Sequence, residues 1–322
     1  MSEKLGFVGL GHMGKWMAGN LQKAGFELMV YDLDPLAIKG LVDQGAKAAR
    51  DLVHLAGQVD QVFLSLPNTS IVEEVLFGRE GLIHGAREGL IVIDCGTTNY
   101  MPTLDFAKRL RGHGVLFADA PVSGMEARAR DATLTIMFGG DLDLLERTGP
   151  ALRAMGNEIV PMGDVGCGQL SKLVNQLLFN VSAAAIAEVF PMAVKLGLDP
   201  EKVLQVVVGG TGRSFAAEFF GQRILDGRFE EGYPLSDAYK DMISAAEVSA
   251  HAQIPLPLVQ AAITTYQMAL AEGYGHEGKG AMIKVFERIL HVEFRKGASF
   301  VGNGGSGAQP ADLSDVLPEG KV

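Results

Sequence analysis

Cysteine is scarce in this chain of 322 residues: there are two, Cys95 and Cys167, far apart and without metal-ligand spacing. That rules out a disulfide-framework fold and leaves at most one bridge. It suits a reducing compartment, so the expected location is the cytoplasm. An excess of basic charge is also lacking, with 28 Lys and Arg against 38 Asp and Glu. Nucleic acids and anionic membranes are bound through basic surface, so neither is an expected partner. No basic stretch followed by an apolar one opens the chain, and "MSEKLGFVGLG" enters a strand pattern at once, so no signal peptide is expected. The most apolar helical stretch, Leu177 to Val194, is broken by Asn180, Ser182, Glu188 and Pro191, which points to a core helix rather than a membrane span. No His/Cys/Asp cluster suggests a metal, no G-x-S-x-G nucleophile elbow is present, and no internal repeat occurs.

What the first half does contain is alternation. The runs "KLGFVG", "ELMVYD", "QVFLSL", "LIVID", "VLFADA", "TLTIMFG" and "EIVPM" are strand-like, and helical patterns begin near Met13, Pro35, Ile71, Pro102 and Leu142. Strands apolar on both faces, separated by helices, predict an α/β fold of Rossmann type: a doubly wound, mainly parallel sheet covered by helices. After about Gly168 the strands stop. Helices are expected over 169–196, 200–209, 213–227, 236–252, 257–272 and about 280–291, with Pro191 kinking or dividing the first. The expected organisation is a nucleotide-binding domain over 1–165, an all-α domain over 166–296 and a flexible, Gly- and Pro-rich tail over 297–322.

In "FVGLGHMGKWMAGNL", Gly9, Gly11 and Gly14 have the G-x-G-x-x-G spacing, directly after a strand and opening a helix. Gly9 permits the tight turn, Gly11 lets a pyrophosphate approach the backbone, and Gly14 allows close helix–strand contact. With His12 and Met13 between them, these residues form the expected cofactor-binding turn, whose helix N-terminus favours an anion. The next strand ends at Asp32, 18 residues past Gly14. A carboxylate there accepts hydrogen bonds from ribose hydroxyls and repels a 2′-phosphate, and no arginine follows, so NAD is expected over NADP. Two later strand ends, "SLPNT" and "DCGTT", offer Leu66, Pro67 and Thr97 along the cofactor path, although ordinary βα turn chemistry would use the same residue types.

"CGQLSKLVNQLLF" places Lys172 near the start of an otherwise apolar helix. Positions i, i+3, i+4 and i+7 share a helix face, so Lys172, Asn175, Gln176 and Phe179 form one stripe, extended by Gln169. Leu173, Val174, Leu177 and Leu178 are expected to point into packing. A polar stripe starting where the chain leaves the nucleotide domain would face a cleft between domains, where desolvation lowers a lysine pKa toward the range useful for proton transfer. The alternative is a lysine that snorkels to solvent or pairs with a carboxylate. The histidines His12, His54, His84, His113, His251, His276 and His291 fall in the Gly-rich loop or in surface helices and turns.

With these residues identified, the chain resembles the β-hydroxyacid dehydrogenase family, which includes 3-hydroxyisobutyrate dehydrogenase and tartronate semialdehyde reductase and is related to 6-phosphogluconate dehydrogenase. Four stretches carry the resemblance, which covers residues 4 to about 291: "GLGHMGKWMAGNL", "DAPVSG", "GCGQLSKLVNQ" and "YKD". It implies an NAD-dependent oxidoreductase acting on the CH–OH group, which interconverts a small anionic β-hydroxy acid and its semialdehyde. It further implies Ser123 and Gly124 on the substrate carboxylate, Lys172 as acid–base catalyst, and Asn175 with Gln176 orienting the substrate. Lys240 would then lie near the nicotinamide, with Thr97 also on the cofactor. The chain departs from the family pattern at Met125, where many members have glycine, at the Asn175–Gln176 pair, and at Gly278 and Gly280 in "EGKGAM". The pairing and Glu126 are closer to tartronate semialdehyde reductases, whereas Asp32 is closer to NAD-using members. Reduction of glyoxylate, succinic semialdehyde or a sulfonated aldehyde is the alternative activity, and a catalytically silent NAD-binding protein the alternative of another class. Imine reductases share the architecture but usually lack the lysine. The long apolar helix needs covering, so a homodimer or homotetramer is expected.

Overall fold

Alternate residues of the first-half strands go to opposite sides of one sheet. Leu5, Phe7, Phe63, Ile91 and Ile93 enter one buried cluster, while Val8, Val62, Leu64 and Val92 enter another on the far face. That two-sided burial is what a period-2 strand covered by helices on both faces requires. Phe7 and Phe63 stack across neighbouring strands with ring centroids 6.4 Å apart. The structure, a computed structural model, describes residues 3–297; the expected tail therefore lies, from residue 298 onward, outside the described residues.

The strands are β1 (Lys4–Val8), β2 (Glu27–Tyr31), β3 (Lys47–Ala48), β4 (Gln61–Leu64), β5 (Ile91–Asp94), β6 (Leu116–Asp119), β7 (Val122–Ser123), β8 (Leu134–Gly139) and β9 (Gly156–Gly163). Interleaved with them run α1 (Gly14–Lys23), α2 (Pro35–Val42), α3 (Leu52–Gln58), α4 (Thr69–Phe77), α5 (Tyr100–Arg111), α6 (Met125–Arg130) and α7 (Leu142–Met155). The sheet order is β3-β2-β1-β4-β5-β6-β8-β7, with β9 also on β8. Pairing is parallel from β3 through β6 and between β8 and β9; β8 runs antiparallel to β6 and β7. This is the expected doubly wound, mainly parallel sheet. Two-residue β3 and β7, and the short helices α3 and α6, were too brief to show a period in the sequence.

The second half is helical: α8 (Cys167–Lys195), α9 (Pro200–Gly209), α10 (Phe215–Leu225), α11 (Leu235–Ala252), α12 (Pro257–Ala271) and α13 (Ile283–Leu290). A 3₁₀ turn, Lys279–Met282, occupies the start of the helix expected from about 280. The chain divides into two compact units, Met1–Val174 and Asn175–Val322, so α8 begins in the first and continues into the second.

Two expectations about α8 are corrected. Of the two outcomes expected at Pro191, a kink or a division, division does not occur, because one helix runs through Cys167–Lys195. The hydrogen bond lost at a proline is outweighed here by burial of the same turn: Ala187, Phe190 and Ala193 are buried, and Phe190 stacks on Phe294 at 4.5 Å. Val174 and Leu178, expected to pack, are 53% and 69% exposed. The helix is long and apolar enough to cross a membrane, yet half of its most apolar window is buried in the protein. Its polar interruptions also find protein partners: Asn180 is fully buried against Lys279, and Glu188 accepts a hydrogen bond from the Thr265 hydroxyl at 2.9 Å. Cys95 and Cys167 are both free thiols.

Candidate active site

The turn after β1 is built by close approach. At Gly9 (φ +91°) an added Cβ would lie 2.3 Å from the Ser65 carbonyl oxygen, and at Gly14 it would lie 1.9 Å from that of Gly9. At Gly11, by contrast, a Cβ would meet nothing within 4 Å. Two glycines are thus required by the protein's own packing, and the middle one faces open space, as a turn approached by a phosphate requires. Met13 precedes α1 and packs on the first core cluster; His12 is exposed, with Nδ1 3.8 Å from Glu126 Oε2. Asp32 follows β2, where its Oδ2 accepts the Leu10 amide at 2.5 Å and its Oδ1 the Asp34 amide at 2.8 Å. The carboxylate expected to read a ribose therefore also braces the glycine turn. Leu66 is half-buried beside the second core cluster, Pro67 is exposed, and Thr97 is half-buried beyond β5.

The start of α8 is held by a residue to which the sequence assigned no role of its own. Asp119, at the end of β6, accepts the Gly166 amide at 2.6 Å and the Gln169 amide at 2.7 Å, two donors that a helix N-terminus otherwise leaves unmet. Gln169 in turn accepts the Thr98 amide at 3.1 Å and donates to the Gly96 carbonyl at 2.9 Å. The neighbouring strand places Asp94 in register with Asp119. Asp94 is buried and bonded by the Thr98 hydroxyl and the Gly96 amide; burial raises its pKa against those two bonds. Burial, opposed by the helix amides and reinforced by Asp94, pushes the Asp119 carboxyl up to about 6. Gln169 is thus a buried tie to the β5 end rather than the open upper end of a stripe. The one available signal was the aspartate that opens "DAPVSG".

From that fixed start, α8 brings Lys172 to the candidate substrate segment. Its Nζ donates to the Val122 carbonyl at 2.9 Å, one residue before Ser123 and two before Gly124. Ser123 is half-buried in β7, paired with Thr135 of β8, and Gly124 follows at φ +141°. The first unit therefore unites Lys172, Ser123 and Gly124. Beyond them Met125 has φ +61°, and Glu126 accepts hydrogen bonds from Trp16 Nε1 at 2.8 Å and Lys15 Nζ at 3.0 Å. Those donors hold the Glu126 carboxyl below the usual range.

In the second unit, Asn175 is exposed, three residues beyond Lys172 on the same helix. Gln176 donates through Nε2 to Asp241 Oδ2 at 2.9 Å. Lys240 is half-exposed, with Nζ 2.9 Å from Asp237 Oδ1. Lys279 is 1% exposed, donates to Asn180 Oδ1 at 2.7 Å, and sits 3.5 Å over the Phe179 ring. Asp241 and Lys279 were quoted within motifs but carried no role; their burial is decided by tertiary packing. Among the described residues, no group of three or more His, Cys, Asp or Glu side chains is arranged to hold a metal ion.

Comparison with known proteins gives matches of the same two-part organisation. Residues 4–163 match the NAD-binding domain of 6-phosphogluconate dehydrogenase, and residues 166–286 the NAD-binding family of NADP-dependent 3-hydroxyisobutyrate dehydrogenase. The chain is 36% identical to 2-(hydroxymethyl)glutarate dehydrogenase of Eubacterium barkeri, over 92% of this chain and 99% of that protein. It is 33% identical to 2-hydroxy-3-oxopropionate reductase of Escherichia coli K12, over 89% and 98%. A solved 3-hydroxyisobutyrate dehydrogenase from Salmonella typhimurium superposes with a TM-score of 0.80 at 31% identity, covering 88% of this chain and all of that one. The chain belongs to the β-hydroxyacid dehydrogenase family and is a nicotinamide-dependent oxidoreductase acting on the CH–OH group of hydroxy acids.

Proposed function

We propose that the protein uses NAD to interconvert a small β-hydroxy acid and its semialdehyde, with Lys172 moving the proton. The observation that carries this is the bond from Lys172 Nζ to the carbonyl of Val122, which sets a proton-carrying group beside Ser123 and Gly124. In this reading the Ser123 hydroxyl and the backbone at Gly124 hold the substrate carboxylate. The hydroxyl carbon, two carbons beyond the carboxylate, then lies toward Lys172. Asn175 donates to the reacting oxygen and orients it; Gln176, already tied to Asp241, holds the neighbouring helix face. In reduction, the Lys172 ammonium gives its proton to the carbonyl oxygen, and oxidation is the reverse. The nicotinamide, when bound, supplies or accepts the hydride.

Gly9, Gly11, His12, Met13 and Gly14 would hold the pyrophosphate end, Asp32 the ribose, and Leu66, Pro67, Thr97 and Lys240 the path toward the nicotinamide. Preference for NAD is supported by Asp32, since a fixed carboxylate repels a 2′-phosphate, whereas the family matched by the helical half is described as NADP-dependent. The exposed apolar residues Val174, Leu178, Val189 and Met192 of α8 support a homodimer or homotetramer.

The test is a panel of β-hydroxy acids and their semialdehydes, with glyoxylate and succinic semialdehyde, each with NAD and NADP and followed at the reduced-nicotinamide absorbance band. Turnover of a β-hydroxy acid with higher kcat/KM for NAD is the expected outcome. No turnover of any compound, with NAD still bound, would favour the silent NAD-binding protein instead.

A further inference from the structure

Among the described residues, four non-glycine residues have positive φ: Met125, Ala132, Gln253 and His291. Gln253 and His291 each follow the last turn of a helix, where a left-handed residue is an ordinary ending, and Ala132 lies in the turn after α6. Met125 differs, because it opens a helix. Both sides of it are fixed. Before it, Val122 and Ser123 pair with Ile136 and Thr135. After it, α6 is bolted to α1 by Trp16 and Lys15 on Glu126 and by Asn20 Nδ2 on the buried Ala129 carbonyl at 2.8 Å. The two linking residues between these anchors both take positive φ, +141° at Gly124 and +61° at Met125.

Glycine would adopt that conformation at Met125 without the clash of a Cβ, and a long thioether chain adopts it only with strain. Packing into the two core clusters of the sheet does not explain its presence. Met125 is 43% exposed and is absent from the two core clusters of the sheet and from the residues packed against them. Strain kept next to a binding segment points to a side chain used by the ligand.

We propose that Met125 determines substrate specificity, its apolar chain contacting the substituent on the substrate carbon next to the carboxylate and favouring a hydrocarbon group there over a hydroxyl. This rests on the proposed function, in which Ser123 and Gly124 hold the carboxylate. The carbon bearing that substituent adjoins the carboxylate, and the Met125 Cα lies about 3.8 Å from that of Gly124, within reach of a long side chain. An apolar contact discriminates between a methyl and a hydroxyl of similar size by roughly 10- to 100-fold.

The test uses 3-hydroxyisobutyrate and glycerate, which differ only in carrying a methyl or a hydroxyl at that carbon, with the full chain and its Met125→Gly, Met125→Asn and Met125→Leu variants. The ratio of the two kcat/KM values is unaffected by loss of active protein. The ratio should favour the methyl compound in the unmodified enzyme and stay within about three-fold in Met125→Leu. It should fall by about 10-fold or more in Met125→Gly and Met125→Asn. Met125→Gly should also raise Tm by about 1–4 °C as the strain is relieved. Turnover of both compounds with an unmoved ratio, or a Tm that falls in Met125→Gly, would overturn the role of Met125 alone. No turnover of either compound would overturn the functional reading and this inference with it.

Discussion

Replacing Lys172 with methionine separates a catalytic lysine from a structural one. The change keeps most of the side-chain volume and removes the donor that reaches the Val122 carbonyl at 2.9 Å. A charge-assisted hydrogen bond of this kind contributes about 1.5–3 kcal/mol, part of which is recovered because an ammonium no longer has to be desolvated. A net loss of about 1 kcal/mol corresponds to a fall in Tm of about 2–4 °C. Removing a general acid–base instead lowers kcat by about 10² to 10⁴, a barrier increase of about 2.7–5.4 kcal/mol. The two effects therefore differ enough to be told apart. Steady-state kcat should be read beside NAD affinity from fluorescence titration and Tm from thermal unfolding. Affinity should persist, because Gly9 to Gly14 and Asp32 form a separate hydrogen-bonded group. A kcat within a few-fold of the unmodified enzyme would refute the role of Lys172. A collapse of kcat together with NAD binding would show damage to the packing of α8 against β7 instead.

Asp32→Ala should narrow the NAD over NADP preference in kcat/KM by about 10-fold or more. Binding of both cofactors should also weaken, because Asp32 braces the Leu10 amide; equal efficiency with the two cofactors in the unmodified enzyme would reject the selectivity argument. Gly14→Ala and Gly11→Ala form a contrasting pair. The first drives a Cβ into the Gly9 carbonyl and should lower both Tm and NAD affinity, whereas the second meets open space and should weaken NAD binding with Tm within about 2 °C. Asp119 predicts a pH dependence. Its folded pKa of about 6 is raised above the ordinary carboxylate value, so the stability linked to its protonation is full below about pH 4. That stability is lost as pH rises through about 6. The Tm of the unmodified protein minus that of Asp119→Asn should therefore decrease between pH 4 and pH 7 in calorimetry, and a flat difference would reject the burial argument.

Strand positions and the glycine turn were legible in the sequence because both are local. Two-sided apolar runs such as "QVFLSL" can only be buried strands or helix fragments, and their length and spacing decide between the two. Gly9 and Gly14 are needed wherever a strand turns this sharply into a helix, so spacing alone marks them. Lys172 was legible for a similar reason, as a charge on a helix with few other polar groups. Pro191 misled, since its cost is local but the burial of Phe190 that outweighs it comes from a residue about a hundred positions away, Phe294. Val174 and Leu178 misled in the opposite sense: apolarity in a sequence does not say which neighbour, if any, covers a side chain.

What the sequence determined by itself was the order of elements, the nucleotide turn, the carboxylate after β2 and the identity of the lysine. Tertiary structure alone decided where that lysine points, because its direction depends on Asp119 gripping the first amides of α8 across a separation of about fifty residues. It also decided that Met125 is left-handed, at a link whose two sides are held by different elements, β7 by β8 and α6 by α1. Helical and strand periods report on neighbours a few positions apart. A hydrogen bond between distant strand ends and helix starts has no period, and exists only once the sheet has brought its partners together.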